Sequence, residues 1–238
     1  MQETKMEIPT SDGKVIYGVK NSAASTDKLI IFVHGLGGNI RAHQYHNAAR
    51  FFPENGFDVL RISLYDRPEN ARKLHECSID THAEDIDTVV KSVQDSYEKI
   101  FLVGHSLGGP SIIYSTQDVT ATVLWDPSIV LDPSQQLSWQ EIKVGGDYYL
   151  KYGDWKIVSR KLHDQWAETN VSMLKRMNVP TKIIAAGAGP LVERWNQVLE
   201  EIPVPYEYHV IPDAGHGFDE WGADVELYAE TLKYLETF

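Results

Sequence analysis

Residues 99–109 read Lys-Ile-Phe-Leu-Val-Gly-His-Ser-Leu-Gly-Gly, and this stretch decides the fold. An apolar run leads directly into the pattern Gly-x-Ser-x-Gly, which predicts a strand that turns sharply into a helix. Gly104 and Gly108 leave room for the chain to cross over itself at the turn, and Gly109 permits close packing of helix on strand. Ser106 is therefore expected at the carboxyl edge of a sheet, where an exposed serine is a candidate nucleophile.

Strands and helices alternate along the rest of the chain. Alternation after residue 29 predicts a mostly parallel sheet with helices on both faces. The first two strands are too close together for a crossover helix, so we expect them to form an antiparallel hairpin at one edge. The predicted strands are Lys5–Ile8, Val15–Val19, Leu29–Val33, Val59–Ser63, Ile100–Val103, Thr122–Trp125, Lys182–Ala185 and Tyr206–Ile211, and the predicted helices are Ala42–Phe52, Ala83–Ser96, Leu107–Ser115, Gln165–Arg176, Val192–Glu200 and Asp224–Leu235.

The segment between Trp125 and Lys182 is too long for one connecting helix. Its Val144-Gly145-Gly146-Asp147 is typical of a turn between two short strands. We therefore predict one domain, residues 1–238, with a small cap, residues 127–178, inserted over the carboxyl edge of the sheet. Aromatic side chains in such a cap either pack it against the body or form a pocket wall, and both roles stay open. The expected substrate-binding residues are Trp125, Trp139, Tyr149 and Trp155.

Composition and charge restrict the classes of function. The 238 residues carry a formal net charge of −12, which disfavours nucleic acid and anionic membranes as partners because both would repel the chain. No apolar run approaches the length of a membrane span and no apolar signal core follows the amino terminus, so we expect a cytoplasmic location. The single cysteine, Cys77, fits a reducing compartment. His43 and His46 have the spacing of a metal pair but no evident partner ligand, so neither a metal nor another cofactor is expected.

A serine hydroxyl becomes a good nucleophile only when a base takes its proton. His216 lies in a glycine-flanked loop after the last predicted strand, and such a loop allows an imidazole to point back at the sheet edge. A tetrahedral intermediate also needs backbone N–H donors for its oxyanion. We expect one donor from Leu107, the residue after the serine, and the other from Leu36 in the loop His34-Gly35-Leu36-Gly37-Gly38, whose histidine braces the loop.

These motifs stand in the order that α/β-hydrolase fold enzymes of the esterase and lipase type show. The chain resembles that family over nearly its whole length, through His34–Gly38, Gly104–Gly109 and Asp213–His216. The inserted aromatic segment is also similar in length and composition to the small lids of bacterial cinnamoyl and feruloyl esterases. The resemblance implies an α/β-hydrolase fold with an eight-stranded sheet, a catalytic triad, an oxyanion hole and a small-molecule ester substrate.

One position departs from the family pattern. Family members usually carry the triad acid after the seventh strand, in a stretch like Gly-x-x-Asp-Pro-Leu-Val, and here Gly189 stands at the aspartate position. Asp126 is the favoured substitute, because it follows the sixth strand, where some relatives carry their acid, and Pro127 fixes the turn. Glu193 is the alternative acid, and a site without a functional acid is the third interpretation.

Two classes of function follow from these residues. In the first, the protein is a serine hydrolase that cleaves carboxylic esters of short or aromatic acyl groups. The same site parts also serve hydrolysis of thioesters, amides or carbon–carbon bonds, and the sequence does not separate these reactions. In the second class, the protein is a hydrolase-like ligand-binding protein whose triad has decayed, an interpretation that Gly189 motivates. A serine at position 106 disfavours haloalkane dehalogenase and epoxide hydrolase chemistry, which use an aspartate there in this fold.

Overall fold

The computed structural model describes residues 2–116, 118–132, 139–144, 147–152 and 156–238. Its strands are β1 (Gln2–Pro9), β2 (Val15–Ser22), β3 (Lys28–Val33), β4 (Asp58–Ser63), β5 (Lys99–His105), β6 (Ala121–Trp125), β7 (Trp139–Val144), β8 (Asp147–Tyr152), β9 (Lys156–Val158), β10 (Thr181–Ala186) and β11 (Tyr206–Ile211). Eight of them form one sheet in the order β1-β2-β4-β3-β5-β6-β10-β11. The β1–β2 and β2–β4 pairs are antiparallel and every other pair is parallel. The predicted mostly parallel eight-stranded sheet is therefore confirmed.

Helices cover both faces of this sheet, as predicted. They are α1 (His43–Glu54), α2 (Ile79–Val93), α3 (Gly108–Tyr114), α4 (Arg160–Glu168), α5 (Leu191–Asn196) and α6 (Ala223–Leu235). Alternate strand residues point to opposite faces. Ile30 and Phe32 of β3 pack with α1 and α6, whereas Ile31 and Val33 pack with α2, α3 and α5. Within the described ranges, no helix is both long and apolar enough to cross a bilayer.

The predicted edge hairpin is confirmed, with Pro9 opposite Val15 and Gly13 at a φ of 82° in the turn. Several helix boundaries differ from the prediction. The helix expected to begin at residue 83 begins at residue 79, because the hydroxyl of Ser78 accepts a hydrogen bond from the N–H of Thr81 and caps it. The helix expected over residues 165–176 is α4 followed by a 3₁₀ segment, Val171–Arg176, and Asn170 caps the second piece.

The segment between β6 and β10 carries a small antiparallel sheet of its own, β7-β8-β9, and α4. Val144 lies opposite Asp147, as expected for the predicted turn, and the two glycines between them lie outside the described residues. Buried residues of β9 and α4 form an apolar cluster with Leu107, the residue after the candidate nucleophile. The segment is therefore anchored beside the carboxyl edge of the sheet.

Candidate active site

The turn from β5 into α3 holds Ser106 in a strained backbone conformation, with a φ of 55°. Such a conformation costs a non-glycine residue about 1–3 kcal/mol and persists only where the surroundings enforce it. A Cβ atom on Gly108 would lie 2.3 Å from the carbonyl oxygen of Val33, and one on Gly104 would lie 2.7 Å from the carbonyl oxygen of Gly108. Both positions therefore require glycine, and the turn presents the serine hydroxyl at the edge of the sheet.

Three side chains from three separate loops form a continuous hydrogen-bonded chain. The Oδ2 atom of Asp126 lies 2.5 Å from Nδ1 of His216, and Nε2 of the same ring lies 2.9 Å from Oγ of Ser106. An ionised carboxylate only accepts hydrogen bonds, so Nδ1 carries the proton and Nε2 is the acceptor that faces the serine hydroxyl. The arrangement can take the serine proton at Nε2 and stabilise the resulting imidazolium through the carboxylate.

Asp126 follows β6 and is fully buried, with a φ of 38°. Aspartate tolerates this left-handed conformation better than most residues. Its Oδ1 atom accepts a hydrogen bond from the N–H of Ala186 at 3.1 Å, which leaves Oδ2 to face the imidazole. Of the two candidate acids, the structure brings Asp126 to His216, whereas Glu193 is exposed on the first turn of α5. A Cβ atom on Gly189 would lie 3.8 Å from Oδ2 of Asp126, so both loops approach the same imidazole.

His105 is a further residue of the site, and its side chain contacts the loop of His216. Its Nε2–H donates to the carbonyl oxygen of His216 at 2.6 Å, so it fixes the backbone that carries the imidazole of His216. Burial lowers the pKa of His105 to about 3, so this ring is neutral at physiological pH. No local sequence pattern shows this contact, because the two residues are 111 positions apart.

The loop of His216 is also tied to α1. His43 lies 3.0 Å from a carboxylate oxygen of Asp219 through Nδ1, and 3.3 Å from the carbonyl oxygen of Phe218 through Nε2. His46 is exposed. Across the described ranges, no cluster of three or more histidine, cysteine or acidic side chains has the geometry of a metal site.

The glycine-rich loop after β3 lies directly against the candidate nucleophile. A Cβ atom on Gly35 would lie 2.7 Å from Cβ of Ser106 and 3.2 Å from its Oγ. Leu107 precedes the first turn of α3, and Leu36 lines the cavity in front of the serine. In the described part of the chain, neither leucine N–H donates to a backbone carbonyl. The N–H groups of Leu36 and Leu107 thus stay the predicted donors to a substrate oxyanion.

His34 holds this loop in place through hydrogen bonds to the backbone. Its Nδ1–H donates to the carbonyl oxygen of Gly35 at 2.9 Å, and its Nε2 accepts from the N–H of Leu64 at 3.1 Å. The hydroxyl of Tyr65 donates to the same carbonyl of Gly35 at 3.0 Å. Burial lowers the pKa of His34 to about 4, so the ring keeps both an acceptor and a donor nitrogen at neutral pH. The structure thus places His34 in the bracing position that the sequence predicts.

A cavity of about 370 Å³ opens in front of the serine. Leu36, Ser106, Ser128 and His216 are among the residues that line it. Its apolar wall comes from the segment after β6, from α4 and from the start of α5, and the residues concerned are Ile129, Val130, Trp166, Pro190 and Leu191. Two cationic side chains, Lys156 and Arg194, also line it. The cavity is large enough for a small ester with a short or aromatic acyl group.

The predicted aromatic wall needs correction at Trp125. This side chain is fully buried on the α1–α6 face of the sheet, where its indole N–H donates to Thr231 at 3.0 Å. It is a core residue because the last residue of β6 points to that face, and only the next residue, Asp126, turns toward the site. Trp139 lies against Trp166, with 6.4 Å between ring centroids, so its contact with the cavity is indirect.

Two further expected wall residues lie elsewhere. The ring of Tyr149 packs edge-on against His75, at 5.4 Å between centroids, and among the described residues it is not part of the cavity lining. Trp155 lies outside the described residues. The aromatic side chain that α4 contributes to the cavity is Trp166. It lies one helical turn after Leu162, and this apolar spacing indicates that both residues face the body of the protein.

The fold and the site together define an α/β-hydrolase architecture. A sequence profile of the alpha/beta hydrolase family matches residues 30–229, so the chain belongs to that family, and the resemblance inferred from the motifs is confirmed. Comparison with curated proteins gives no match.

Solved structures with the same fold include esterases and other hydrolases. Est1E from Butyrivibrio proteoclasticus with bound ferulic acid is 17% identical, with a TM-score of 0.76 over 98% of each chain. Dienelactone hydrolase from Anabaena variabilis is 17% identical, with a TM-score of 0.73 over 100% of this chain and 98% of that one. The Pyrococcus furiosus esterase Pf2001 is 20% identical, with a TM-score of 0.73 over 100% of this chain and 93% of that one. At these identities the likeness is one of fold.

Proposed function

We propose that the protein is a serine hydrolase that cleaves carboxylic esters of short or aromatic acyl groups through an acyl-enzyme. The observation that carries the proposal is the unbroken chain from Asp126 through His216 to Ser106, with distances of 2.5 and 2.9 Å. The 370 Å³ cavity in front of the serine gives a small ester access to it. The side chain of His216 is 47% exposed, so the base is open to substrate and water, whereas the acid behind it is closed to both.

In the acylation step, Oγ of Ser106 attacks the ester carbonyl carbon and its proton passes to Nε2 of His216. The carbonyl oxygen becomes an oxyanion and accepts hydrogen bonds from the N–H groups of Leu36 and Leu107. The imidazolium that forms is stabilised by the carboxylate of Asp126. The tetrahedral intermediate then collapses, the proton on Nε2 goes to the leaving alkoxide, and the alcohol departs.

In the deacylation step, water attacks the acyl-enzyme carbonyl and Nε2 of His216 takes the water proton. The same two N–H groups hold the second oxyanion. When this intermediate collapses, the proton returns to Oγ of Ser106, and the carboxylic acid product leaves. The protein side chains end the cycle in the protonation states in which they began, so no cofactor is needed to balance the reaction.

Residues 127–178 act in this proposal as a cap that shapes the acyl pocket. Val130, Lys156 and Trp166 come from this segment and line the cavity. A wall built from aliphatic side chains and one indole suits a short chain or an aromatic ring better than a long lipid chain. Ferulic acid, an aromatic acid, is bound in the structure of Est1E, which has the same fold.

The alternative of a binding protein with a decayed triad was motivated by Gly189. Asp126 removes that motivation, because its carboxylate lies within hydrogen-bond distance of His216 without any acid at position 189. Thioester, amide and carbon–carbon bond hydrolysis use the same groups, and substrate comparison separates them from ester hydrolysis.

The test is turnover of p-nitrophenyl esters from acetyl to octanoyl and of methyl ferulate. Wild type, Ser106→Ala and Ser128→Ala are compared, since Oγ of Ser128 lies only 3.4 Å from Oγ of Ser106 and makes a matched control. We expect Ser106→Ala to lose about 10⁴-fold or more in kcat, as removal of a triad nucleophile does. Ser128→Ala should retain most of the activity. Absence of ester turnover in wild type, or equal loss in both variants, contradicts the proposal.

A further inference from the structure

Among the described residues that line the cavity in front of Ser106, the side chains with a permanent charge are cationic. The chain carries a formal net charge of −12, yet Lys156 and Arg194 both line the cavity. Among the described lining residues none is acidic, and the carboxylate of Asp126 is fully buried behind His216. The acidic surface of the protein does not attract anions in general. Two cationic side chains in the cavity therefore indicate that an anionic group binds there.

Arg194 is held in a fixed orientation toward the cavity. It lies on α5, and its Nη1 donates to the carbonyl oxygen of Ile129 at 3.0 Å. In the part of the chain that the structure describes, no carboxylate forms an ion pair with this guanidinium. A guanidinium has five N–H donors, so the contact with Ile129 leaves an edge that matches the two oxygens of a carboxylate.

The backbone segment that holds Arg194 also contacts Ser106. Ile129 follows Ser128, whose N–H donates to the carbonyl oxygen of Ser106 at 3.0 Å and whose Oγ lies 3.4 Å from the serine Oγ. The carbonyl that anchors Arg194 is thus one residue from a side chain in contact with the nucleophile. Ser106 and Arg194 line the same cavity of about 370 Å³, so one small substrate bound there has access to both.

We infer that the substrate is an ester that bears a carboxylate, and that Arg194, with Lys156 beside the same cavity, binds this carboxylate. The inference rests on the proposed function, since it names the substrate class of the proposed esterase site. Burial lowers the pKa of Lys156, so an anionic group bound nearby would favour the charged form of this side chain. Arginine is the residue that best combines charge with the planar geometry of a carboxylate.

Two pairs of synthetic esters test the inference. The first pair is p-nitrophenyl hydrogen glutarate and its methyl ester, which place a carboxylate or a neutral group on the acyl side. The second pair is 4-acetoxybenzoate and methyl 4-acetoxybenzoate, which do the same on the alcohol side. The quantity compared is the ratio of kcat/KM for the anionic ester to kcat/KM for the neutral ester. Differences in intrinsic reactivity within a pair cancel when this ratio is compared between wild type and variants.

We expect Arg194→Gln to lower the ratio about 10- to 100-fold for at least one pair, the range typical of a lost hydrogen bond to a charged group. Lys156→Gln should lower it by a smaller factor, and Arg194→Lys should restore part of it. Lys175→Gln removes one positive charge from an exposed position outside the cavity and serves as the matched control. A ratio that is unchanged in Arg194→Gln for both pairs, or that falls equally in Lys175→Gln, overturns the inference.

A binding measurement keeps the inference testable if the proposed function fails. Ser106→Ala, which cannot form an acyl-enzyme, is titrated with glutarate by calorimetry, with and without Arg194→Gln. Glutarate binding that weakens at least about tenfold in the double variant supports the carboxylate site even if no ester is hydrolysed. Ester hydrolysis together with equal glutarate binding in both variants overturns the carboxylate site and leaves the esterase proposal standing.

Discussion

The substitution Asp126→Asn tests the least expected member of the candidate triad. The N–H of Ala186 donates to Oδ1 of Asp126, and an asparagine would keep its carbonyl oxygen at that position. Its NH₂ group would then face Nδ1 of His216 and donate to it. This forces the imidazole proton onto Nε2. A protonated Nε2 can no longer accept the proton of Ser106. The variant therefore changes both the charge and the tautomer without a change of shape.

The magnitude follows from the geometry of the buried pair. When the imidazolium forms, its charge lies about 4 Å from the carboxylate charge, which is worth about 4 kcal/mol at an effective dielectric constant of 20. At about 1.4 kcal/mol per decade, this corresponds to a loss of about 10³-fold in kcat. The wrong tautomer adds to the loss, and in a serine-protease triad the same substitution lowers kcat about 10⁴-fold. We expect a fall of 10³- to 10⁴-fold.

The assay is kcat/KM for p-nitrophenyl acetate, with thermal unfolding as a check on the fold. Glu193→Gln is the control, because it removes a carboxylate from an exposed position on α5. This control should stay within about twofold of wild type, as surface changes usually do. Near-normal activity of Asp126→Asn, or a comparable fall in Glu193→Gln, would refute the assignment of the acid.

A second-site variant strengthens the test. A Cβ atom at position 189 has only ordinary contacts, 3.4 Å from the carbonyl oxygen of Ala186 and 3.8 Å from Oδ2 of Asp126. Gly189→Asp in the Asp126→Asn background therefore places a carboxylate within reach of Nδ1 of His216. We expect it to recover at least about tenfold in kcat, which corresponds to about 1.4 kcal/mol of restored stabilisation. No recovery in a folded double variant would show that the two loops do not serve the same imidazole.

Two further predictions concern acid stability and the glycine-rich loop. Burial lowers the pKa of His34 to about 4, and that of His82 and His105 to about 3. The unfolded chain binds these protons at about pH 6.5, so the free energy of unfolding should fall below that pH by up to about 1.4 kcal/mol per pH unit for each ring. Urea titrations at pH 7.5, 6.0 and 5.0 measure this fall, which should be shallower in His82→Phe; an unchanged slope contradicts the prediction. Gly35→Ala should lower kcat/KM at least about 100-fold in protein that is still folded at the assay temperature, because its Cβ would lie 2.7 Å from Cβ of Ser106 and displace the serine. Normal turnover by this variant would show that the loop does not approach the serine so closely.

The sequence was most informative where a local pattern has one structural solution. The apolar run before Gly-x-Ser-x-Gly specifies both a buried strand and the turn that follows it, and the structure contains both. Side-chain direction at a strand end was harder to predict. Trp125 was expected to face substrate, yet the pleat directs it into the core beside Thr231. Position along a strand fixes the face only when the register is known, and one residue of error reverses it.

Long-range polar contacts were also beyond the sequence. The hydrogen bond from His105 to the carbonyl of His216 joins residues 111 positions apart, and no spacing rule connects them. The break between α4 and the 3₁₀ segment after it depends on Asn170, whose side chain accepts from the N–H of Ser172. Asparagine competes with helical backbone bonds in this way, but the apolar pattern runs on through the break and hides it.

The acid could be predicted only as a preference, and sheet topology explains why Asp126 can serve. Strands β6 and β10 are neighbours, with Trp125 paired to Ile184, so the loops that follow them leave the sheet side by side. An acid on either loop can therefore reach Nδ1 of His216. With Asp126 in place, its Oδ2 lies 3.8 Å from the Cβ position of residue 189, and a second carboxylate there would face the first. Like charges this close raise the pKa of one carboxyl group, which would weaken the pair with the imidazole. Gly189 thus fits a site whose acid follows β6 rather than β10. Gly189→Asp alone should lower kcat, although the same change should restore activity to the Asp126→Asn variant.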